Sequence, residues 1–268
     1  MANDTLKEAR VAAFFDFENL ALGLRQANYE KFRLDLVLDR LIEKGKVIFK
    51  RAYCDWSRYR AYKSAFHEAN IELIDIPRKR ISGKNSADIR MVVDALDLAH
   101  SHAHIDTFAL LSGDSDFSPL VAKLSELDRH VIGVGVKNSS AEILVSVCDE
   151  FIYYDDIVRD ARKTRQVVAP ALAASAAASS GGSEPLTDLF NLMMGAIDAL
   201  QREGHDVIWG SMVKQQIKRK KPSFSERAYG FRTFTAALEA AKKSRVIELQ
   251  RDTKSGAYLV QDISAQQS

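Results

Sequence analysis

The chain has 268 residues, 46% of them hydrophobic and 28% charged, with a formal net charge of +2. That length suits one large or two small domains, and no apolar run approaches the ~18–20 residues a bilayer span needs. Cys54 and Cys148 are the only cysteines and lack CxxC spacing, which excludes a disulfide framework and a zinc ribbon. With no basic-then-apolar pattern in the opening residues, the expectation is a cytoplasmic protein and no membrane.

Charge is uneven along the chain. Residues 186–268 hold 13 Lys and Arg against 9 Asp and Glu, whereas residues 1–185 hold 25 against 27. An acidic first part joined to a basic second part points to separate tasks.

Val11 to Phe15 is an unbroken apolar, aromatic run, predicted as a strand buried on both faces, and Asp16 ends it with Glu18 and Asn19 behind. Leu34 to Ile42 has helical spacing, stopped by Gly45. Lys46 to Tyr53 and Ile71 to Ile76 are further strands, separated by a weakly periodic helix over Tyr59 to Ala69. Pro77 to Ser86 is a basic loop in which Arg78, Lys79, Arg80 and Lys84 are candidates for gripping phosphates. Ala87 to Ala99 is predicted as a helix with Ile89, Val92, Val93, Leu96 and Ala99 on its inward stripe. Asp88 lies in its first turn, where the dipole alone accounts for an anion. Asp94, roughly 120° further round, is the weaker site candidate. His100, His102 and His104 fall where that helix ends, a common place for histidine.

Thr107 to Leu111 repeats the first pattern: an apolar strand that stops at Ser112-Gly113, followed by Asp114 and Asp116. Ligands in parallel sheets sit beyond the carboxyl ends of the strands, and paired carboxylates there suit Mg²⁺ or Mn²⁺. A turn in which Asp114 caps the next helix explains the same residues equally well. A helix over Phe117 to Leu127, a strand over Val131 to Val136, a capping box at Ser139 to Glu142 opening a helix to Cys148, and an edge strand over Phe151 to Tyr154 complete the alternation. No GxGxxG pattern marks a dinucleotide site. Alternating β and α elements predict an α/β fold: a mostly parallel sheet with helices on both faces.

An Ala/Ser/Gly-rich stretch follows, predicted as a linker over 161–185 between a first domain, 1–160, and a second, 186–262. The second has a helix stripe through Leu189, Leu192, Met193, Ala196, Ile197 and Leu200. Two shorter helices follow, and then two strands flanking a turn at Asp252 to Gly256, a winged-helix-like α+β set. Lys218, Arg219, Lys220, Lys221, Arg227 and Arg232, with Phe224, Tyr229 and Phe231 interleaved, form a candidate nucleic-acid face. A solvated basic surface on a protein-interaction domain is the plainer alternative.

FFDFENL at Phe14–Leu20, NSADIRMVVDAL at Asn85–Leu96 and LLSGDSDFSPLV at Leu110–Val121 resemble, in order and spacing, the NYN family of PIN-like nucleases. The resemblance runs from about Arg10 to Asp156. It implies a Rossmann-like PIN fold, Mg²⁺- or Mn²⁺-dependent cleavage of RNA, and a site made of Asp16, Asp88, Asp114 and Asp116 assisted by Asn19. Phe17 stands where a glycine is frequent in that family. Residues 186–260 resemble a LOTUS (OST-HTH) domain, which implies single-stranded or structured RNA, G-rich RNA included, as partner. The resemblance to PIN-like domains also brings an expectation of homodimers. The alternatives to a metal-dependent ribonuclease are a catalytically silent RNA-binding regulator and a small-molecule metal hydrolase; for the latter no DxDx[TV] nucleophile turn is present.

Overall fold

The computed structural model describes residues 8–77, 86–164, 183–252 and 257–262, and the chain divides into two compact units, Met1–Val158 and Arg159–Ser268. The basic loop with Arg78, Lys79, Arg80 and Lys84, most of the predicted linker and the tip of the predicted hairpin lie outside the described residues.

In the first unit, six strands run in the order β3-β2-β1-β4-β5-β6 and every neighbouring pair is parallel. They are β1 (Arg10–Asp16), β2 (Lys46–Cys54), β3 (Glu72–Asp75), β4 (Thr107–Leu111), β5 (His130–Gly135) and β6 (Glu150–Tyr153). The unbroken apolar runs of β1 and β4 follow from burial on both faces: a period of two sends alternate side chains into two separate cores. Val11, Ala13 and Phe15 enter one core, with α1 (Phe17–Gln26), α2 (Leu34–Lys44) and α3 (Lys63–Glu68). Ala12 and Phe14 enter the other, with α4 (Ser86–Ser101), α5 (Ser118–Glu126) and α6 (Glu142–Val147). The predicted α/β architecture with helices on both faces is the one observed.

Several local expectations change. α4 buries Met91, Ala95, Leu98 and Ala99, whereas Ile89 and Val93, expected inward, are 62% and 56% exposed. Gly45 ends α2 in an extended conformation, and what requires a glycine is the Ala9 carbonyl, which would lie 2.4 Å from an added Cβ. α6 begins after Ala141 with no side-chain cap, so the capping box does not form. The charged segment after β6, given no structure from sequence, belongs to a helix, α7, over residues 154–164.

The second unit has α8 (Ser183–Arg202), α9 (Gly210–Lys220) and α10 (Phe234–Lys243), with β7 (Ile247–Arg251) and β8 (Tyr258–Asp262) paired antiparallel. Trp209 bridges to Leu259, adding a short third rung to this sheet. Its core is separate, built on Leu189, Phe190, Met193 and Ile197 of α8 against Val213, Ile217, Leu238, Ile247 and Val260.

Candidate functional site

From β1 the chain builds outward to β2 and β3, then crosses over to β4 on the other side of β1. The carboxyl ends of β1 and β4 therefore flank the point where strand order reverses, where an open α/β sheet leaves a crevice. Asp16 is the last residue of β1, and Ser112, Gly113 and Asp114 follow β4 directly.

Asp16 is 5% exposed. One carboxylate oxygen accepts the Asn19 backbone N–H at 3.2 Å and the other accepts the Ser112 hydroxyl at 2.9 Å. Its carboxyl is pushed up to about 7: burial is the largest cause, the charges of Asp88 and Asp114 add to it, and those two hydrogen bonds partly offset it. Asp88 reaches this neighbourhood from the first turn of α4, and Asp114 from the β4 loop. Two of the other carboxylates anticipated from sequence, Asp88 and Asp114, thus act on Asp16. Asp116 differs: its side chain is exposed, and its backbone N–H is held by Asp114 Oδ1 at 3.0 Å. Asp114 also caps the short 3₁₀ turn Ser115–Phe117, so the capping role weighed against a site is present at the same residue.

Asn19 has a mechanical role. Its side-chain oxygen accepts the Gly113 N–H at 2.9 Å, tying the loop after β4 to α1. Gly113 is pinned on its other side, where its carbonyl accepts the Ala141 N–H at 2.9 Å. An added Cβ at Gly113 would stand 2.5 Å from the Ser139 carbonyl, so only glycine lets these two loops meet. Ser112 was missed from sequence. It is fully buried, donates to Asp16, and accepts the Asp114 N–H at 3.1 Å, linking the two strand ends. Its signal was a lone hydroxyl closing an apolar strand.

Phe17 sends its ring away from the carboxylates, into a cluster with Phe32, Trp56, Tyr59, Tyr62 and Phe66 at centroid distances of 4.9 to 5.7 Å. The larger side chain is thereby accommodated by the core behind β1.

A carboxylate set of this kind is hard, anionic and mutually repelling, which fits Mg²⁺ or Mn²⁺ in donor chemistry. Among the described residues, no three His, Cys, Asp or Glu side chains are gathered closely enough to form a metal cage. His100 does not change this: its Nδ1 lies 2.8 Å from the Leu96 carbonyl, the helix-end contact expected for it.

On the second unit, Lys218, Arg227 and Arg232 are exposed, while Arg219, Lys220 and Lys221 are half-buried. Lys221 is engaged by Tyr229 at 2.9 Å and Asp188 at 3.3 Å. The interleaved aromatics turn inward: Phe224 is 4% exposed and packs on Phe234, with Tyr229 and Phe231 against the same core. The basic surface therefore offers cations rather than stacking rings. A separate concavity of about 440 Å³ is lined by Lys214, Phe234, Arg251 and Tyr258 among others.

Comparison with known proteins bears on the first unit. The NYN domain pattern matches residues 10–155. An uncharacterized protein of Methanocaldococcus jannaschii is 31% identical over 151 residues, 54% of this chain and 55% of that protein. The chain thus spans about half the length of this curated relative. A solved protein of unknown function from Vibrio parahaemolyticus has a TM-score of 0.51 at 24% identity, covering 59% of this chain and 98% of the other. At that identity the likeness speaks to the fold alone.

Proposed function

The chain belongs to the NYN domain family, within the PIN-like nucleases, and on that footing we propose that it is a divalent-metal-dependent ribonuclease whose second unit recruits RNA. PIN-like nucleases generally use divalent metal ions. The observation that carries the proposal is the buried Asp16 at the strand-order reversal, its carboxyl raised by burial and by Asp88 and Asp114.

Asp16, Asp88, Asp114 and Asp116 would hold Mg²⁺ or Mn²⁺. Bound there, the cation supplies charge neutralisation, a more acidic water and stabilisation of the developing phosphate charge. The chain's own residues do the rest. Ser112 and the Asn19 N–H fix both oxygens of Asp16, so the buried carboxylate meets its ligand in one orientation. Asn19 and Gly113 hold the β4 loop so that Asp114 stays beside Asp16. Burial of Asp16 excludes water from one side of the site, which strengthens charge interactions there.

We read residues 186–262 as a LOTUS-like, winged-helix module, with Lys218, Arg227 and Arg232 as exposed phosphate contacts and Lys214 and Arg251 beside Phe234 and Tyr258 as a second basic patch. The basic loop carrying Arg78, Lys79, Arg80 and Lys84 would hold the strand being cut. A tether between the units raises the local concentration of RNA at an acidic domain that binds it poorly alone.

The alternative, a silent RNA-binding regulator, draws on the lack of a preformed three-donor cage among the described residues. Incubating the full chain with single-stranded and structured RNA, with Mn²⁺ or with chelator, separates the two. Cleavage that requires Mn²⁺ and vanishes in Asp116→Asn supports the nuclease. Binding without cleavage, or cleavage undiminished in Asp116→Asn, rejects the reading.

A further inference from the structure

Helix α4 has two apolar faces. With Met91 taken as zero, Met91, Ala95, Leu98 and Ala99 centre near ~25°, while Ile89, Val92, Val93 and Leu96 centre near ~150°, at ~100° per residue. The two faces adjoin: Met91, Ala95, Leu98 and Ala99 are buried, Val92 and Leu96 are half-buried against the same core, and Ile89 and Val93 are left exposed, so the apolar band is wider than the surface that covers it. Hydrophobicity alone does not select the observed rotation. The choice matters, because Asp88 lies near ~60°, beside the buried face, and turning the helix onto its other apolar face would swing it away from Asp16.

What distinguishes the observed rotation is Asp94. Its side chain is 9% exposed and fully engaged: Oδ1 accepts Arg90 Nε at 3.0 Å, and Oδ2 accepts the Tyr53 hydroxyl at 2.9 Å and Arg51 Nη1 at 3.2 Å. Arg51 and Tyr53 are on β2, and Tyr53 is the register partner of Asp16. Arg51 is held in turn by Glu72 of β3 at 2.6 Å, and Tyr53 is 1% exposed, its ring stacked on Phe14 of β1. The donors are therefore anchored in the sheet. A buried carboxylate separated from such partners costs several kcal/mol, more than a shift between two apolar faces returns.

We propose that Asp94, locked to Tyr53 and Arg51, is the positioning residue that sets the rotation of α4 and keeps Asp88 turned toward Asp16. It forms a closed circuit: Asp16 beside Tyr53 in the sheet, Tyr53 bonded to Asp94, Asp94 one helix with Asp88, and Asp88 acting on Asp16. Asp94 is a positioning residue rather than a ligand: its charge is committed to Arg90 and Arg51 and to the Tyr53 hydroxyl. The inference rests on the nuclease reading for its consequence, the assembly of a metal site, but not for its structural content.

The test uses the full chain as Asp94→Ala and, since Asp94→Ala removes a buried charge from between two arginines, the milder Tyr53→Phe. Mn²⁺ affinity by calorimetry should fall at least tenfold in Asp94→Ala and severalfold in Tyr53→Phe, with KM for RNA unchanged and kcat reduced. Adding Ile89→Gln and Val93→Gln, which makes the competing face polar, should restore Mn²⁺ affinity to within about threefold of the parent; a general loss of stability would not be rescued by changing two exposed residues. Unchanged affinity in the folded variants, or a loss those two changes do not restore, overturns the proposal. A crystal structure of Asp94→Ala decides the rotation without metal: α4 turned, with Asp88 away from Asp16, supports it, and α4 unmoved overturns it. Failure of the parent itself to bind Mn²⁺ would instead sink the nuclease reading, leaving the crystal structure to decide this one.

Discussion

Replacing Asp16 by Asn removes a charge that the folded chain holds at a cost. The ordinary carboxyl value for this residue is 3.8, and in the fold it is raised to about 7, chiefly by burial and in part by Asp88 and Asp114. The folded chain therefore binds that proton more tightly than the unfolded chain does. Stability is greatest where both states are protonated, declines as pH rises from about 4 to about 7, and levels off above. At about 1.4 kcal/mol per tenfold change in proton affinity, ionisation costs the fold on the order of 4 kcal/mol, of which about 2–3 kcal/mol falls between pH 5 and pH 8. Asn keeps an oxygen for the Asn19 N–H and can donate to the Ser112 hydroxyl, so its gain comes mainly from the missing charge. Urea unfolding in chelator at pH 5 and pH 8 measures this, followed by Trp56 fluorescence in a Trp209→Phe background. Trp56 is buried in the first unit and Trp209 belongs to the second, so the signal reports one unit. The variant should exceed the parent by about 2–4 kcal/mol at pH 8 and by much less at pH 5. Mn²⁺ at a hundred times its dissociation constant should then stabilise the parent at pH 8 by about 2.7 kcal/mol and leave the variant unmoved. Parallel pH curves for parent and variant would refute the account of Asp16.

Other perturbations follow from the same contacts. Gly113→Ala places a Cβ 2.5 Å from the Ser139 carbonyl, a backbone atom that cannot yield cheaply, so the β4 loop should shift. Cleavage should drop by at least tenfold, checked against a Gly195→Ala control, where nothing lies within 4 Å of the added atom. Phe17→Ala empties a fully buried aromatic cluster and should cost about 3–5 kcal/mol of first-unit stability by the same fluorescence assay. Lys218→Glu with Arg227→Glu and Arg232→Glu should weaken RNA binding and flatten its salt dependence by about three phosphate contacts, measured as the slope of log affinity against log salt, while the first unit's metal-dependent stabilisation stays as it was.

The two strands that end in the site were legible because burial on both faces leaves no room for polar residues. Val11 to Phe15 and Phe108 to Leu111 are apolar throughout, and each run stops at residues of the candidate site. Asp16 and Asp114 could be placed at strand ends for the same reason. The rotation of α4 was not legible. Ile89 and Val93 of its predicted stripe face outward while Val92 and Leu96 stay half-buried, and the partners that hold Asp94, Tyr53 and Arg51, are more than thirty positions away in sequence. Ser112 was invisible for a related reason: a single hydroxyl carries no periodicity, and its partners lie on two different strand ends.

The sequence by itself determined the alternation of strands and helices, the two separate hydrophobic cores of the first unit, and the identity of the acidic residues, since each is a local property of composition and spacing. The tertiary structure decided which of those carboxylates act on one another. Strand order brings β1 and β4 together as neighbours across ninety residues of chain, and only that pairing puts Ser112 on Asp16, buries the carboxyl, and lets Asp114 raise it. Electrostatic coupling depends on distance and desolvation, and both are set by packing between elements that sequence spacing does not relate.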